Sequence, residues 1–194
     1  MVLNRRIPTL LTRHPSVLDV CLVGSRAEVR ADERSDWDFL IKTSDFGAVA
    51  KALPELLAPL ECLAQQWDPL SPHWVWMLML RGPVKVDLVL AGRSHPPQLP
   101  WVPSATSLEA IDMHFWDWIF WIDSKARADS ALHKTELVKL FEHILAPLGV
   151  EAIPRTGTDA VALYLTARAE AEARFGLEVP RRLQAEVAPV LGQA

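Results

Sequence analysis

Residues 21–40 read CLVGSRAEVRADERSDWDFL, which is an apolar strand ending in Gly24-Ser25 and a second strand that begins at Asp36-Trp-Asp38. Because side chains along a strand alternate with a period of two, Asp36 and Asp38 project to the same side. A carboxylate pair of this kind can hold divalent cations, and the Gly-Ser turn leaves backbone N–H groups for a phosphate. The stretch therefore predicts a site for metal and phosphate.

A third carboxylate, Asp87, lies in the middle of the apolar run VKVDLVL at 84–90. A carboxylate buried in a sheet costs free energy unless it is paired or bound to a metal. If its strand neighbours the strand of Asp36 and Asp38, three carboxylates meet on one sheet face. Such a set can hold two magnesium ions about 4 Å apart, the arrangement used for phosphoryl or nucleotidyl transfer.

The composition is that of an ordinary globular protein. Of 194 residues, 50% are apolar and 23% are charged, which is enough for one large domain or two small ones. The net charge of −4 comes without a basic block, so a nucleic-acid partner is not expected. The sequence shows no signal peptide and no apolar run of membrane-spanning length, which predicts a cytoplasmic protein without membrane contact.

The first ninety or so residues alternate between strand-like and helix-like patterns, which favours an α/β layer. A short helix is predicted at 4–13, a buried strand at 17–23, a second strand at 38–42 and a helix at 46–60. The segment at 61–67 reads as an edge strand, and the runs HWVWMLML and VKVDLVL, joined by Arg-Gly-Pro, read as a hairpin.

A segment rich in proline, 93–104, is typical of a linker or an extended arm, and the pattern beyond it is helical. Helices are predicted at 108–128, 132–145, 159–175 and 180–191. For the third, Thr158 or Asp159 is a candidate N-cap and Gly176 a candidate C-cap.

The first of these helices carries a polar stripe on an otherwise apolar surface. At about 100° per residue, His114, Asp117, Trp121 and Lys125 fall on one side. The stripe has two interpretations, a face turned to a cleft or a solvated face with weak ion pairs.

Taken together, Gly24-Ser25, Asp36-x-Asp38 with apolar flanks and Asp87 on a later strand resemble the polymerase-beta-type nucleotidyltransferase superfamily. With its C-terminal helices the chain is similar to small aminoglycoside and lincosamide nucleotidyltransferases. The resemblance implies a mixed sheet flanked by helices and followed by an all-α bundle. It divides the chain into a catalytic domain at 1–92, a linker at 93–104 and a helical substrate-binding domain at 105–194. The motifs cover about the first ninety residues, and the remainder matches only in being helical.

The resemblance also implies roles for the acidic residues. Asp36 and Asp38 would bind two magnesium ions, and Asp87 would bind the catalytic one and accept the proton of the acceptor hydroxyl. Asp117, on the polar stripe, is the alternative candidate for the base.

The nucleotide would be held by other positions. Ser25 and the backbone of Gly24 would bind its phosphates, and Arg26 is placed to reach one of them. Lys125 is the candidate for a lysine that the helical domain presents to the triphosphate.

The activity implied is magnesium-dependent transfer of AMP from ATP to a hydroxyl of a small molecule, such as an aminoglycoside-like antibiotic, and hence antibiotic resistance. Two alternatives stay open: a protein-directed adenylyltransferase, for example the antitoxin of a toxin–antitoxin pair, and a catalytically inactive nucleotide-binding module. The proline-rich arm and the surplus of tryptophan, eight in all, are compatible with a homodimer.

Overall fold

The structure, a computed structural model, describes residues 3–28, 30–126 and 129–192, and only the backbone at 125 and 126. The chain forms two compact units, Met1–Pro97 and Gln98–Ala194. Their boundary falls inside the predicted linker. The predicted assignment of catalysis to one segment and of substrate binding to the other stays a prediction.

The first unit is a sheet flanked by helices. Its elements are α1 (Leu3–Leu11), β1 (Val17–Val23), α2 (Gly24–Ala27), β2 (Trp37–Thr43), α3 (Phe46–Leu57), β3 (Ala64–Trp67), β4 (His73–Leu80) and β5 (Val84–Ser94). The strand order is β1-β2-β5-β4-β3. The β2–β5 pair is parallel and the other pairs are antiparallel, so the sheet is mixed.

One face of this sheet forms the hydrophobic core. Phe39 and Ile41 of β2 and Val86 and Leu88 of β5 are fully buried there, together with apolar side chains of α1 and α3. Because side chains alternate along a strand, the residues between them, including Asp38 and Asp87, lie on the opposite face. The core therefore determines which face carries the carboxylates.

The strand predicted as buried at 17–23 is instead an edge strand. In β1 only Val17 is buried, Leu18 is 66% exposed, and Cys21 is exposed. The reason is position, because β1 pairs with β2 alone. The predicted hairpin of β4 and β5 is confirmed, as is the edge position of β3. The second hairpin strand runs beyond 90, to Ser94.

Several tryptophans pack together where β3 ends and β4 begins. The ring of Trp67 lies edge-on to Trp74 and Trp76, with centroids 5.2 and 5.0 Å apart, and Phe46 of α3 lies 5.2 Å from Trp74. The ring of His95 lies 4.6 Å from that of Trp74, tilted by 50°, and His95 donates its backbone N–H to the carbonyl of Pro72. These tryptophans therefore complete the core and hold the start of the linker.

The second unit is helical, with α4 (Leu108–Trp121), α5 (Ser130–Leu140), α6 (Gly157–Phe175) and α7 (Arg182–Val187). The predicted helix 108–128 changes into a π-helical turn at Ile122–Ala126, and its last two residues lie outside those described. A similar turn, Phe141–Leu145, ends α5. No helix among the described residues is long and apolar enough to cross a membrane. The predicted α/β sheet followed by helices is confirmed.

The N-cap predicted for the third helix at Thr158 or Asp159 is wrong. Thr156 takes this position, and its side chain accepts the backbone N–H of Asp159 at 3.1 Å. The helix starts earlier because an extended Thr can satisfy a first-turn N–H that helical residues cannot. The predicted C-cap is confirmed, since Gly176 has a φ of 66°.

A buried polar network joins the helices of this unit. Oδ1 of Asp112 accepts hydrogen bonds from Tyr164 Oη at 2.6 Å, Arg168 Nη1 at 2.9 Å and Trp116 Nε1 at 3.1 Å. The side chains of Asp112 and Arg168 are 2% and 4% exposed. Buried charges are tolerated only when they are paired and hydrogen-bonded, and here each charge has its partner on the other helix. The network therefore holds α4 against α6.

Candidate active site

Strands β2 and β5 bring the predicted carboxylates together. The two strands are parallel and in register, so that Asp38 lies directly opposite Asp87. Neighbouring strands are about 4.8 Å apart, and both side chains are on the face away from the core. Asp36 comes two residues before Asp38, directly ahead of the first residue of β2. The expected neighbourhood of the two strands is therefore confirmed.

Two oxygens at this site are buried and have no hydrogen-bond partner: Oδ1 of Asp36 and Oδ1 of Asp87. A buried carboxylate oxygen without a partner is costly, and native proteins rarely keep one without a reason. Carboxylate oxygens are also the ligands that magnesium prefers. A bound cation would satisfy both oxygens.

The charge of Asp87 is poorly solvated. Burial raises the pKa of this carboxyl, and the negative charges of Asp36 and Asp68 raise it further. The ammonium of Lys85, whose Nζ lies 3.4 Å from Oδ2 of Asp87, opposes both effects. The site therefore concentrates negative charge, and the ammonium of Lys85 is the cation paired with Asp87.

Gly24 is placed by the same geometry. Strand β1 ends opposite the start of β2, where Val23 pairs with Asp38. Gly24 follows with a φ of +70°, a conformation that favours glycine, and a Cβ built on it would lie 2.5 Å from Oδ2 of Asp38. The glycine is needed both for the turn and for the close approach of this carboxylate.

Ser25 lies in α2, the short helical turn Gly24–Ala27 that follows β1. The first N–H groups of a helical turn have no acceptor within the helix, so they are suited to an anion. This turn is next to Asp38, as the resemblance implies. The phosphate-binding role of Gly24 and Ser25 stays a prediction.

Arg26 makes contacts within the unit. Its Nε donates to the carbonyl oxygens of Ser35 at 2.9 Å and Asp36 at 3.1 Å, and its guanidinium lies 4.2 Å above the ring of Trp37. These contacts tie the turn after β1 to the backbone that precedes β2. Arg26 therefore orients the segment that carries Asp36, and its predicted contact with a phosphate stays a prediction.

Ser35 is structural, because it closes a turn with Asp32. Its Oγ donates to Oδ1 of Asp32 at 2.8 Å and accepts the backbone N–H of the same residue at 3.0 Å. Trp37 belongs to the core side, where it stacks on Phe39 with ring centroids 6.4 Å apart.

The polar stripe of the second unit is partly buried. His114 and Asp117 are 5% and 3% exposed, so the interpretation of the stripe as a solvated face is wrong for these two residues. Trp121 is half-buried, and the side chain of Lys125 lies outside the described residues. The roles predicted for Asp117 as a base and for Lys125 as a triphosphate ligand stay predictions.

Sequence reasoning missed two residues on the carboxylate face, Lys85 and Asp68. Lys85 is two positions before Asp87, so the period of two that paired Asp36 with Asp38 could have placed it on the same face. Asp68 follows β3, and its Oδ1 accepts the N–H groups of Leu70 and Ser71. Only the pairing of β3, β4 and β5 brings its charge near Asp87, so no local signal could have identified it.

Within the described residues, no group of three or more His, Cys, Asp or Glu side chains is arranged so that it could hold a metal ion as it stands. The fit to magnesium therefore rests on two unpartnered oxygens of neighbouring carboxylates and on the accumulated negative charge. Chemically, such a site can attract a cation bound to a phosphate and can accept a proton.

Comparison with known proteins gives weak likenesses. No family model matches the sequence, and no curated protein is similar to it. An aminoglycoside 6-adenyltransferase from Bacillus subtilis is 10% identical, with 93% of this chain and 92% of that chain covered and a TM-score of 0.33. The polymerase core of TRAMP, an RNA surveillance complex, is 11% identical, with a TM-score of 0.34. The match covers 95% of this chain and 54% of that chain. Likenesses of this strength carry no argument about activity, so function has to be inferred from the side chains of the site.

Proposed function

We propose that the protein is a magnesium-dependent nucleotidyltransferase that transfers AMP from ATP to a hydroxyl of a small molecule. One observation carries the proposal: Asp38 and Asp87 lie side by side on parallel strands, with Asp36 two residues before Asp38 and its charge acting on Asp87. Two oxygens of this set are buried without a partner. An arrangement of oxygen ligands at the end of a phosphate-binding turn suits a nucleotide bound as its magnesium complex.

Asp36, Asp38 and Asp87 are the residues that would hold magnesium. When bound, the metal supplies activation of the attacking hydroxyl and neutralises charge on the α-phosphate and the pyrophosphate leaving group. Asp87 would also accept the proton of the acceptor hydroxyl, the role that the resemblance implies for it.

The binding groups of the nucleotide follow from the same turn. The backbone of Gly24 and Ser25 would hold the phosphates, and Arg26 would keep Asp36 in place through the carbonyl groups of the preceding segment. Lys125 would add a cation from the helical unit. We propose ATP over other nucleotides on the resemblance alone.

A cationic acceptor, such as an aminoglycoside, suits the charge of the site. The carboxylates of Asp36 and Asp68 act electrostatically on Asp87, and Asp38 lies beside it, whereas Lys85 is the cation paired with Asp87. A surface with this excess of negative charge concentrates cationic ligands near it. Inactivation of the antibiotic, and hence resistance, would be the biological consequence.

The experiment is an assay of pyrophosphate release from ATP and MgCl2 with a panel of aminoglycosides and lincosamides. We expect release with at least one acceptor and a loss of about 100-fold or more in Asp36→Asn, since this carboxylate is a metal ligand in the proposal. The matched control is Asp19→Asn, an exposed aspartate on the adjacent strand. An Asp36→Asn variant with full activity would refute the metal assignment.

The same assay separates the alternatives. Labelling of a protein instead of an antibiotic would indicate a protein-directed adenylyltransferase. Binding of ATP without release of pyrophosphate under any condition would indicate an inactive nucleotide-binding module.

A further inference from the structure

Lys85 is a largely buried cation within the carboxylate face. Its side chain is only 11% exposed, and that of Asp87, two residues later, is 19% exposed. Lysine is seldom buried in proteins unless it is paired. Here the Nζ atom lies 3.4 Å from Oδ2 of Asp87, on the same side of β5.

The ion pair uses one oxygen of Asp87 and leaves the other. Oδ2 faces the ammonium, whereas Oδ1 is buried and has no hydrogen-bond partner. A carboxylate held by one oxygen has little freedom to rotate, so the direction of the second oxygen is determined as well. This is the geometry of a carboxylate prepared for a second cation.

Lys85 also balances charge. The carboxylates of Asp36 and Asp68 act on Asp87 with the same sign, and Asp38 lies directly opposite it. At such separations, like charges away from bulk water repel each other by several times the thermal energy. A cation is therefore required to keep these side chains close when no metal is bound.

We propose that Lys85 is a positioning residue of the site. It anchors Asp87 through Oδ2, so that Oδ1 stays available to a divalent cation, and its ammonium carries the counter-charge of the carboxylates until that cation binds. The inference rests on the metal site of the proposed function, but not on the nucleotide or on the acceptor.

Lys85→Met should weaken the metal-free protein but strengthen its binding of magnesium. Without the ammonium the carboxylates repel each other, so the metal-free protein is less stable. The same loss removes a positive charge that repels an incoming magnesium ion, so magnesium binds more tightly. Transfer nevertheless becomes slower, because Asp87 is no longer held in one orientation.

The experiment compares Lys85→Met with Lys85→Arg, which keeps the charge, and with Lys42→Met. Lys42 is the matched control, because it is paired with Asp19 at 3.6 Å on the same sheet but is 59% exposed. The readouts are the Tm in EDTA, and the MgCl2 concentration that gives half of the maximal rise in Tm.

In EDTA we expect Lys85→Met to lower the Tm by about 6 °C or more, because breaking a buried ion pair costs far more than breaking a surface one. Lys42→Met should lower it by about 2 °C or less. Lys85→Arg should stay close to the wild type, since the charge is kept. The half-maximal MgCl2 concentration should fall by roughly tenfold in Lys85→Met, since removal of a nearby like charge favours the metal.

A purely structural lysine would give a different pattern. If Lys85→Met loses stability but magnesium restores no more of it than in the wild type, the charge-balancing role is refuted. If Lys85→Met behaves like Lys42→Met in both readouts, the anchoring role is refuted as well. Failure of the wild type to release pyrophosphate, with the Tm pattern intact, would instead contradict the proposed function and leave the role of Lys85 standing.

Discussion

Replacement of Gly24 by alanine tests the closest approach in the site. The backbone there has a φ of +70°, and the added Cβ would lie 2.5 Å from Oδ2 of Asp38. Real Cβ atoms do not approach an oxygen so closely, so either the turn or the carboxylate must move. Gly92 offers a matched control in the same unit, because its φ is +68° and nothing lies within 4 Å of its Cβ position.

The magnitude follows from two separate costs. An alanine in the left-handed conformation costs about 1–2 kcal/mol, which both variants incur. Overpacking adds about 1–3 kcal/mol in Gly24→Ala alone. We therefore expect Gly24→Ala to lose about 2–5 kcal/mol and Gly92→Ala about 1–2 kcal/mol of the free energy of unfolding.

The assay is urea unfolding monitored by tryptophan fluorescence, in the wild-type background and in Asp38→Ala. Removing the carboxylate gives the new Cβ space, so the extra cost of Gly24→Ala should disappear in this background. The double-mutant cycle should therefore show a coupling of about 1–3 kcal/mol, whereas the cycle of Gly92→Ala with Asp38→Ala should show none.

Additive effects of Gly24→Ala and Asp38→Ala would refute this reasoning. In that case the carboxylate of Asp38 does not lie against the turn, and the glycine is required only for its backbone conformation. Transfer activity gives a second readout, since a displacement of about 1 Å in a metal-binding carboxylate costs on the order of 100-fold in rate.

Two further predictions concern the helical unit. Asp112→Ala should lower the free energy of unfolding in urea by about 3–5 kcal/mol, because Arg168 is left as an unpaired buried charge. Glu109→Ala breaks a surface ion pair and should lower it by about 1 kcal/mol or less. Equal losses in the two variants would contradict this prediction. Hydrogen bonds from Arg181 hold the pKa of Glu172 below its ordinary value of 4.5. The stability from this pair is therefore present above pH 4.5 and is lost as the pH falls through the lower folded-state pKa. In unfolding at a series of pH values, Glu172→Gln should be less stable than the wild type by about 1 kcal/mol at neutral pH and converge with it in acid, and a constant difference would contradict the assignment.

Local patterns predicted most of the elements. The two apolar runs that form β4 and β5, with Arg-Gly-Pro between them, were sufficient to predict the hairpin. Local patterns did not predict how far each strand is buried. The run at 17–23 is as apolar as a central strand, yet β1 lies at the sheet edge because its exposure depends on strand order, which no local window contains.

Helix ends show a similar division. The sequence predicted the C-cap at Gly176 because a glycine after a helical run is a local signal. The N-cap was misplaced by two or three residues, since Thr156, Thr158 and Asp159 are all competent caps. The choice among them depends on which residue is extended, and that is settled by packing of the preceding chain.

At the site, the sequence by itself determined which carboxylates could share one sheet face. The spacing of two between Asp36 and Asp38, and a carboxylate inside the apolar run of Asp87, were enough to predict which groups converge. The face on which each carboxylate lies can be predicted from its own strand, because side chains alternate between the two faces. The turn after β1 was equally visible in the Gly24-Ser25 pair, and its binding of phosphate stays a prediction.

Only the tertiary structure decided how the charge of this site is balanced. The parallel register places Asp38 opposite Asp87, and the β3–β4–β5 pairing brings the charge of Asp68 near it. Lys85 could be assigned to the same face, but its contact with Oδ2 of Asp87 and its burial could not. The physical reason is that electrostatic energy depends on distances and solvent exposure between strands that are remote in sequence, which local periodicity does not encode.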